Sequence, residues 1–377
     1  MAEQSGRFKS RWSFAYTLML IESKPELGNA DPLEARASSN GHNASAKPAV
    51  DVADRPLTRV PVLDGVRATA ILLVLFGHTV HKAYLPLGAL FGEYGTSLFF
   101  VLSGYLITAV LLADEARYGR VRLGRFYRRR ALRILPALTV FLLVLAALAQ
   151  SGMVENPSRL TWIASTLYFR NLVGTGWNTQ HLWTLALEEQ FYFLWPIAFV
   201  VFRKHRMALI AAVILCCTVS RVIWINTDFR DIFDLLQRPD LRLDTFLIGG
   251  SMALYRWQWF GRISAAIAVV GFVLWTPLSL TFKWTRPLDT PVAALLLTIL
   301  IWWLIEHPGS RMARFLRAPS MVLIGTLSYS LYLWQEPLLG PNIRWWSLPV
   351  LGIVACASYW MVEKPFLRLR GDANVRS

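Results

Sequence analysis

Arg67 and His78 stand eleven residues apart in one apolar run, LDGVRATAILLVLFGHTVHK (63–82), with His81 just beyond. An imidazole in such a place can act as general base on a hydroxyl or carry an acyl group, and a guanidinium can hold anionic charge. On a helix, eleven residues make three turns plus ~20°, so both side chains face one way, about 16 Å apart along the axis. Arg67 is then expected near one membrane surface and His78 near mid-membrane. A snorkelling arginine and a hydrogen-bonded core histidine form the structural alternative. Two ionisable groups on one stripe, at ~2.5 kcal/mol or more for an arginine in lipid, favour function.

Three further groups of polar residues interrupt apolar runs. In QHLWTLALEEQFYFLWP (180–196), His181, Thr184, Glu188 and Tyr192 follow at spacings of three, four and four, which is one helical face. Glu188 must there find a partner or lose its charge. The partner is either an arginine on another helix or a polar chamber shared with His78, lined by His181 and Tyr192. RFYRRRALRILP (125–136) crowds Arg129, Arg130 and Arg133 at one end of a span. Part of that cluster marks topology, and the whole suits a ligand with several phosphates, since guanidinium forks grip phosphate oxygens in pairs. No Walker-type or G-x-G-x-x-G loop accompanies it. In RPDLRLDTFLIGG (238–250), Arg242 and Asp244 read as a local ion pair or as part of an acceptor site. GTLSYSLYLWQEP (325–337) offers Tyr329, Tyr332, Gln335 and Glu336. Aromatic anchoring at the interface accounts for the tyrosines, and Glu336 before Pro337 needs no special role.

The elements that must position these groups are transmembrane helices. The chain has 377 residues, 55% of them hydrophobic and only 17% charged. Runs of about 18 to 20 apolar residues recur, long enough to cross a ~30 Å hydrocarbon core. The expected fold is all-α, a polytopic transmembrane helical bundle of about ten spans. They fall near 64–82, 95–113, 133–150, 181–202, 207–225, 241–256, 263–280, 289–306, 320–339 and 346–363. LTWIASTLYFRNL (160–172) is short, a re-entrant or interfacial helix that would make eleven spans if it crossed. Strand-type alternation is absent, which excludes a β-barrel.

A net charge of +15 would suggest nucleic acid in a soluble chain. Here arginine and lysine cluster in alternate loops, the pattern of the positive-inside rule. The loops around 117–133, 203–206 and 311–317, Arg256, Arg262 and the 363–370 segment should face the cytoplasm of an inner membrane, with both termini inside. No nucleic-acid partner is expected. Residues 1–58, rich in Ser, Asn, Ala and Pro, read as a disordered cytoplasmic tail. Residues 59–370 form the membrane domain and 371–377 a short second tail. Cys216, Cys217 and Cys356 sit in apolar runs without metal-ligand spacing, so no metal is expected.

Seven segments in this order resemble acyltransferase family 3 of integral membrane proteins: LDGVRATAILLVLFGH, FFVLSGYLI, RRRALRILP, HLWTLALEEQFYFLWP, LRLDTFLIGG, GTLSYSLYLW and VEKPF. They run from Leu63 to Phe366, essentially the whole membrane region. The resemblance implies transfer of an acyl group, commonly acetyl from acetyl-CoA, to hydroxyls of surface or exported glycans. By motif it makes His78 the catalytic residue, matches Arg67 to the family's Arg-x10-His pattern, associates Arg130 and Arg133 with the acyl-CoA end, and matches Glu188 to a motif glutamate. Two departures stand out. Thr184 replaces the usual Ser, and Gln335 stands where many members have His after Trp334.

Together these readings give a membrane O-acyltransferase with acyl-CoA as co-substrate and no metal. The donor's phosphates would sit on Arg129, Arg130 and Arg133, with Arg67 assisting, and its thioester would reach His78. Glu188 or Asp244 would orient His78 or the acceptor. Acceptor contacts are expected from His181, Tyr192, Arg242 and Asp244. The partners are the lipid bilayer and a glycan or lipid-linked sugar, and a homo-oligomer is compatible with the pattern. A secondary transporter or flippase of a polysaccharide-assembly pathway is the rival class, since midplane ionisable residues suit it equally. The missing internal repeat and the cationic mouth weigh against it.

Overall fold

The computed structural model describes residues 60–80, 85–173, 176–227, 237–255, 265–282, 285–340 and 346–369. The expected tails at 1–58 and 371–377, together with His81, Arg256 and Arg262, lie outside the described residues. Described secondary structure is helical throughout, with no strand among the described residues. The helices are α1 Pro61–Val80, α2 Leu85–Tyr118, α3 Leu123–Gln150, α4 Arg159–Thr166, α5 Leu182–Val201, α6 Arg206–Thr227, α7 Leu243–Tyr255 and α8 Ala265–Thr281. They continue with α9 Arg286–Glu306, α10 Arg311–Leu316, α11 Pro319–Leu339, α12 Ser347–Ser358 and α13 Lys364–Arg368, the last two joined by a π turn, Tyr359–Glu363.

Helices stand at all ten expected positions. Among the described residues, six stretches are long and apolar enough to cross a membrane: Pro61–Thr79, Leu90–Tyr118, Leu123–Gln150, Arg206–Ile225, Arg286–Glu306 and Ser347–Arg368. The helices at the other four positions do not meet both conditions over the described residues. α7 and α8 are described over 13 and 17 residues, each bordering the stretch 256–264 that lies outside the described residues. α5 and α11 are long enough, but they carry Glu188, Glu189 and Gln190, and Gln335 and Glu336, in their interiors. The eleventh candidate span is corrected: α4 has eight residues, about 12 Å, too short to cross. Ser158 caps it, its side chain accepting from the Thr161 amide at 3.2 Å.

α3 begins at Leu123, ten residues before its expected apolar start. The arginine run therefore lies on the first turns of the helix. Arg, Leu and Ala are strong helix formers, so charge ends the hydropathy signal without ending the helix, and the long stems reach outward. Cation-rich segments gather at one end of the bundle. There the α1 start meets α10 and the α11 start, because a Cβ on Gly65 would strike the Leu316 carbonyl and one on Gly325 the Asp64 carbonyl. Mid-bundle, α2 and α7 cross equally closely: a Cβ on Gly104 would strike the Phe246 carbonyl, and one on Gly249 the Val101 carbonyl. Small residues at crossings are what allow helices to pack closely where lipid supplies no hydrophobic drive.

Candidate active site

The end opposite the cation-rich loops holds a small, partly open hollow lined by His78, Trp177, Gln335, Glu336, Leu339 and Gly340. Three elements build it. α1 brings His78 in its last turn, which corrects the expectation of a mid-membrane histidine. α11 brings Gln335 and Glu336 just before Gly340, which ends the helix at φ 55°. The segment between α4 and α5 brings Trp177, whose ring meets His78 edge to face with centroids 6.4 Å apart.

That segment is held by a buried arginine that sequence reasoning passed over. Arg170 is 2% exposed and donates to Thr179 Oγ1 at 3.2 Å, the Gly176 carbonyl at 3.2 Å and Gln180 Oε1 at 2.7 Å. Burial pushes the Arg170 guanidinium pKa down, and the Glu336 carboxylate opposes that shift. Tyr168 takes a left-handed conformation (φ 59°), and its carbonyl accepts from Gln190 Nε2 at 2.8 Å. The Trp177 indole donates to the Glu336 carbonyl at 3.2 Å, fixing the ring at the mouth of the hollow.

Glu336 is the main correction here. Expected to need no role, it is 3% exposed, and its Oε2 meets the His181 backbone N–H at 2.9 Å and His181 Nδ1 at 2.8 Å. His181 Nε2 lies 3.0 Å from the Leu333 carbonyl, which can only accept, so that nitrogen carries a proton. Both ring nitrogens of His181 are thus engaged. The residue sits behind Glu336 and holds it, outside the set that lines the hollow. Tyr332 joins the same layer, its hydroxyl meeting Thr184 and donating to the His181 carbonyl. The signal that pointed to Glu336 was a lone carboxylate inside an apolar helix, two positions beyond a tryptophan.

A second polar cluster lies farther down α5. Glu188 is seven residues beyond His181, about 10 Å along the helix axis. Arg130 of α3 donates to Glu189 Oε1 through Nε at 3.0 Å and Nη2 at 2.8 Å, with Glu188 Oε2 at 3.6 Å. Its guanidinium lies over the Tyr192 ring, 3.5 Å from the centroid. Glu188 also accepts from Ser103 at 3.2 Å and from Tyr192 at 3.5 Å. The contacts the structure gives Glu188 therefore lead to α2, α3 and its own helix, where a pairing with His78 had been the alternative. Arg130 thus faces carboxylates, and Arg128, Arg129 and Arg133 flank it on the same helix. Arg67 pairs with Asp64 one turn earlier, at 3.1 Å.

Arg242 and Asp244 do not pair with each other, because residues two apart on a helix point different ways. Arg242 is fully buried and holds Glu93 of α2 at 2.5 and 2.6 Å. Asp244 is also fully buried, held by Arg221 of α6 at 2.6 Å. Arg221 further donates to the Leu241 carbonyl at 2.6 Å and the Pro287 carbonyl at 2.8 Å, tying α6, α7 and α9 together. Both residues lock helices laterally, and neither lines the hollow.

Fold and site define a polytopic helical membrane protein with ionisable side chains converging inside an apolar bundle. The acyltransferase family 3 profile, described as Acyltransferase domain, matches residues 60–362, and the chain belongs to that family. A protein of Staphylococcus aureus (strain COL) named "Putative O-acetyltransferase" is 30% identical over 308 residues, covering 73% of this chain and 50% of that one. O-acetyltransferase OatA of Staphylococcus aureus (strain NCTC 8325 / PS 47) is 28% identical over 314 residues, covering 74% and 50%. The chain spans about half the length of the curated relatives it matches. No solved structure gives a significant match.

Proposed function

We propose that this chain is a membrane O-acetyltransferase that moves an acetyl group from acetyl-CoA to a hydroxyl of a surface or exported glycan, or of a lipid-linked sugar. One observation carries the reading: in a chain of this family, the motif histidine His78 lines a hollow together with Glu336, Gln335 and Trp177. His78 takes the proton from the acceptor hydroxyl. The oxygen then attacks the thioester carbonyl, the C–S bond breaks, and the CoA thiolate leaves and is protonated. The donor enters from the cation-rich end, which faces the cytoplasm of the inner membrane by the positive-inside rule. Arg129 and Arg133 meet its phosphates, with Arg67 farther along the path to His78. The relatives named O-acetyltransferase support the choice of acetyl.

The test is transfer of labelled acetyl from acetyl-CoA to glycan by purified protein in nanodiscs, comparing wild type with His78→Ala. Loss of transfer with an unchanged melting temperature supports the reading. Near-normal transfer by the variant overturns the role of His78, and failure of the wild type to bind acetyl-CoA overturns the reaction class.

A further inference from the structure

Gln335 has 0% exposure, yet neither its amide nitrogen nor its amide oxygen meets a hydrogen-bond partner among the described residues. Buried amides are nearly always paired, because an unpaired one loses its hydration and gains nothing. A leucine of similar size would fill the same space without that loss. Gln335 nonetheless lines the hollow that His78 also lines. Beside it, Glu336 commits Oε2 twice to His181, so both of these bonds fall on one of the two carboxylate oxygens. Trp177, 39% exposed, stands at the mouth of the same hollow.

We propose that Gln335, Glu336 and Trp177 form the acceptor subsite, and that it takes a neutral sugar ring bearing neighbouring hydroxyls. The proposal rests on the acyl-transfer reading and adds which acceptors are taken and by which atoms. A carboxamide both donates and accepts, and a carboxylate accepts only. Two adjacent hydroxyls satisfy both: one donates to Glu336, the other donates to and accepts from Gln335. The indole offers the apolar C–H face of the ring a flat surface, already fixed by its bond to the Glu336 carbonyl. A carboxylate oxygen of Glu336 accepts from a sugar hydroxyl, whereas the carboxylate of an anionic ring only accepts and can make no hydrogen bond to it. A hydroxyl so held beside the His78 imidazole is the one that accepts acetyl.

The test is equilibrium dialysis of the full chain in nanodiscs with radiolabelled cellotetraose, chitotetraose and mannotetraose, and with tetragalacturonate as the anionic counterpart. At least one neutral probe should bind, and tetragalacturonate roughly 10-fold more weakly or worse. Gln335→Leu should weaken neutral binding by about 10-fold or more, since sites built to hydrogen-bond a hydroxyl lose heavily when a partner is removed. Its melting temperature should equal or exceed that of wild type. Glu336→Gln, which keeps the shape and removes the charge, should narrow the gap between neutral and anionic probes. The proposal is overturned if no neutral probe binds, if tetragalacturonate binds equally well, or if Gln335→Leu binds like wild type, the amide then holding only a water. If a neutral probe binds with this dependence but receives no acetyl from acetyl-CoA, the subsite stands and the transferase reading fails.

Discussion

The hollow around His78 and the cluster around Arg130 are both polar islands in an apolar bundle, but they differ in how their hydrogen-bonding capacity is used. Around Arg130, two carboxylates, a serine and a tyrosine are spent on one another, and the guanidinium lies on an aromatic face. Beside His78, the Gln335 amide has no hydrogen-bond partner among the described residues. The first arrangement resists being opened, because removing Arg130 or Glu189 strands its partner's charge in a poorly solvated place. The second holds capacity in reserve, which is what a site for a transient ligand needs. Charge alone therefore does not mark the centre proposed to react.

The largest effect should come from His78→Ala. Losing a general base is expected to lower acetyl transfer by roughly 10²- to 10⁴-fold, while detergent melting stays near that of wild type because the change removes little apolar burial from a half-buried position. Transfer within a few-fold of wild type would place the chemistry elsewhere. Arg130→Gln should do the reverse. It leaves Glu188 and Glu189 facing each other, at a cost of about 3 kcal/mol or more, so a clear fall in melting temperature and in correctly folded yield is expected. A stable Arg130→Gln variant with weakened acetyl-CoA binding would instead put Arg130 among the donor contacts. Arg242→Met probes the same contrast at the far end. It strands Glu93 unless that group takes up a proton, and should destabilise by a comparable amount.

Periodicity and composition made the helices legible. The 3.6-residue pattern, the apolar lengths and the cation-rich loops indicated a bundle, and helices occupy every expected segment. The ends were less legible, since hydropathy stops at the first charges while α3 runs ten residues farther toward them. His78 could be singled out because an imidazole in an apolar run is costly. Its surroundings could not, because Trp177, Arg170, Gln335 and Glu336 come from segments about 100 to 260 positions away in the chain, and only packing brings them together. Glu188 shows the same limit. One face of α5 carries His181 and Glu188 alike, but the helix rise sets them about 10 Å apart, so one serves the hollow and the other meets Arg130.

A smaller effect separates the two carboxylates of the Arg130 cluster. Glu189 receives two N–H bonds from Arg130 at 2.8 and 3.0 Å, whereas Glu188 lies 3.6 Å from it. Glu189→Gln should therefore cost about 2 to 3 kcal/mol. Glu188→Gln should cost about 1 kcal/mol or less, since its amide oxygen still accepts from Ser103 and Tyr192. Thermal melting and turnover measured together decide the matter. If Glu188→Gln keeps its stability and loses most of its turnover, Glu188 belongs to the reaction chamber and the contrast between the two islands breaks.

Arg67 should show the smallest change in stability and still be informative. Its ion pair with Asp64 joins neighbouring turns of α1 and leaves the arginine side chain 24% exposed. Such pairs contribute about 1 kcal/mol or less, so Arg67→Gln should melt almost like wild type. It lies on the helix that carries His78, about 16 Å from it along the axis, where a donor coming from the cation-rich end must pass. The expected outcome is a several-fold rise in the KM for acetyl-CoA with little change in the KM for the glycan. Arg67→Lys should restore part of the loss, because it keeps the charge without the planar fork. If both variants leave the acetyl-CoA KM unchanged, Arg67 serves only Asp64, and the donor's phosphates are met by the α3 arginines alone.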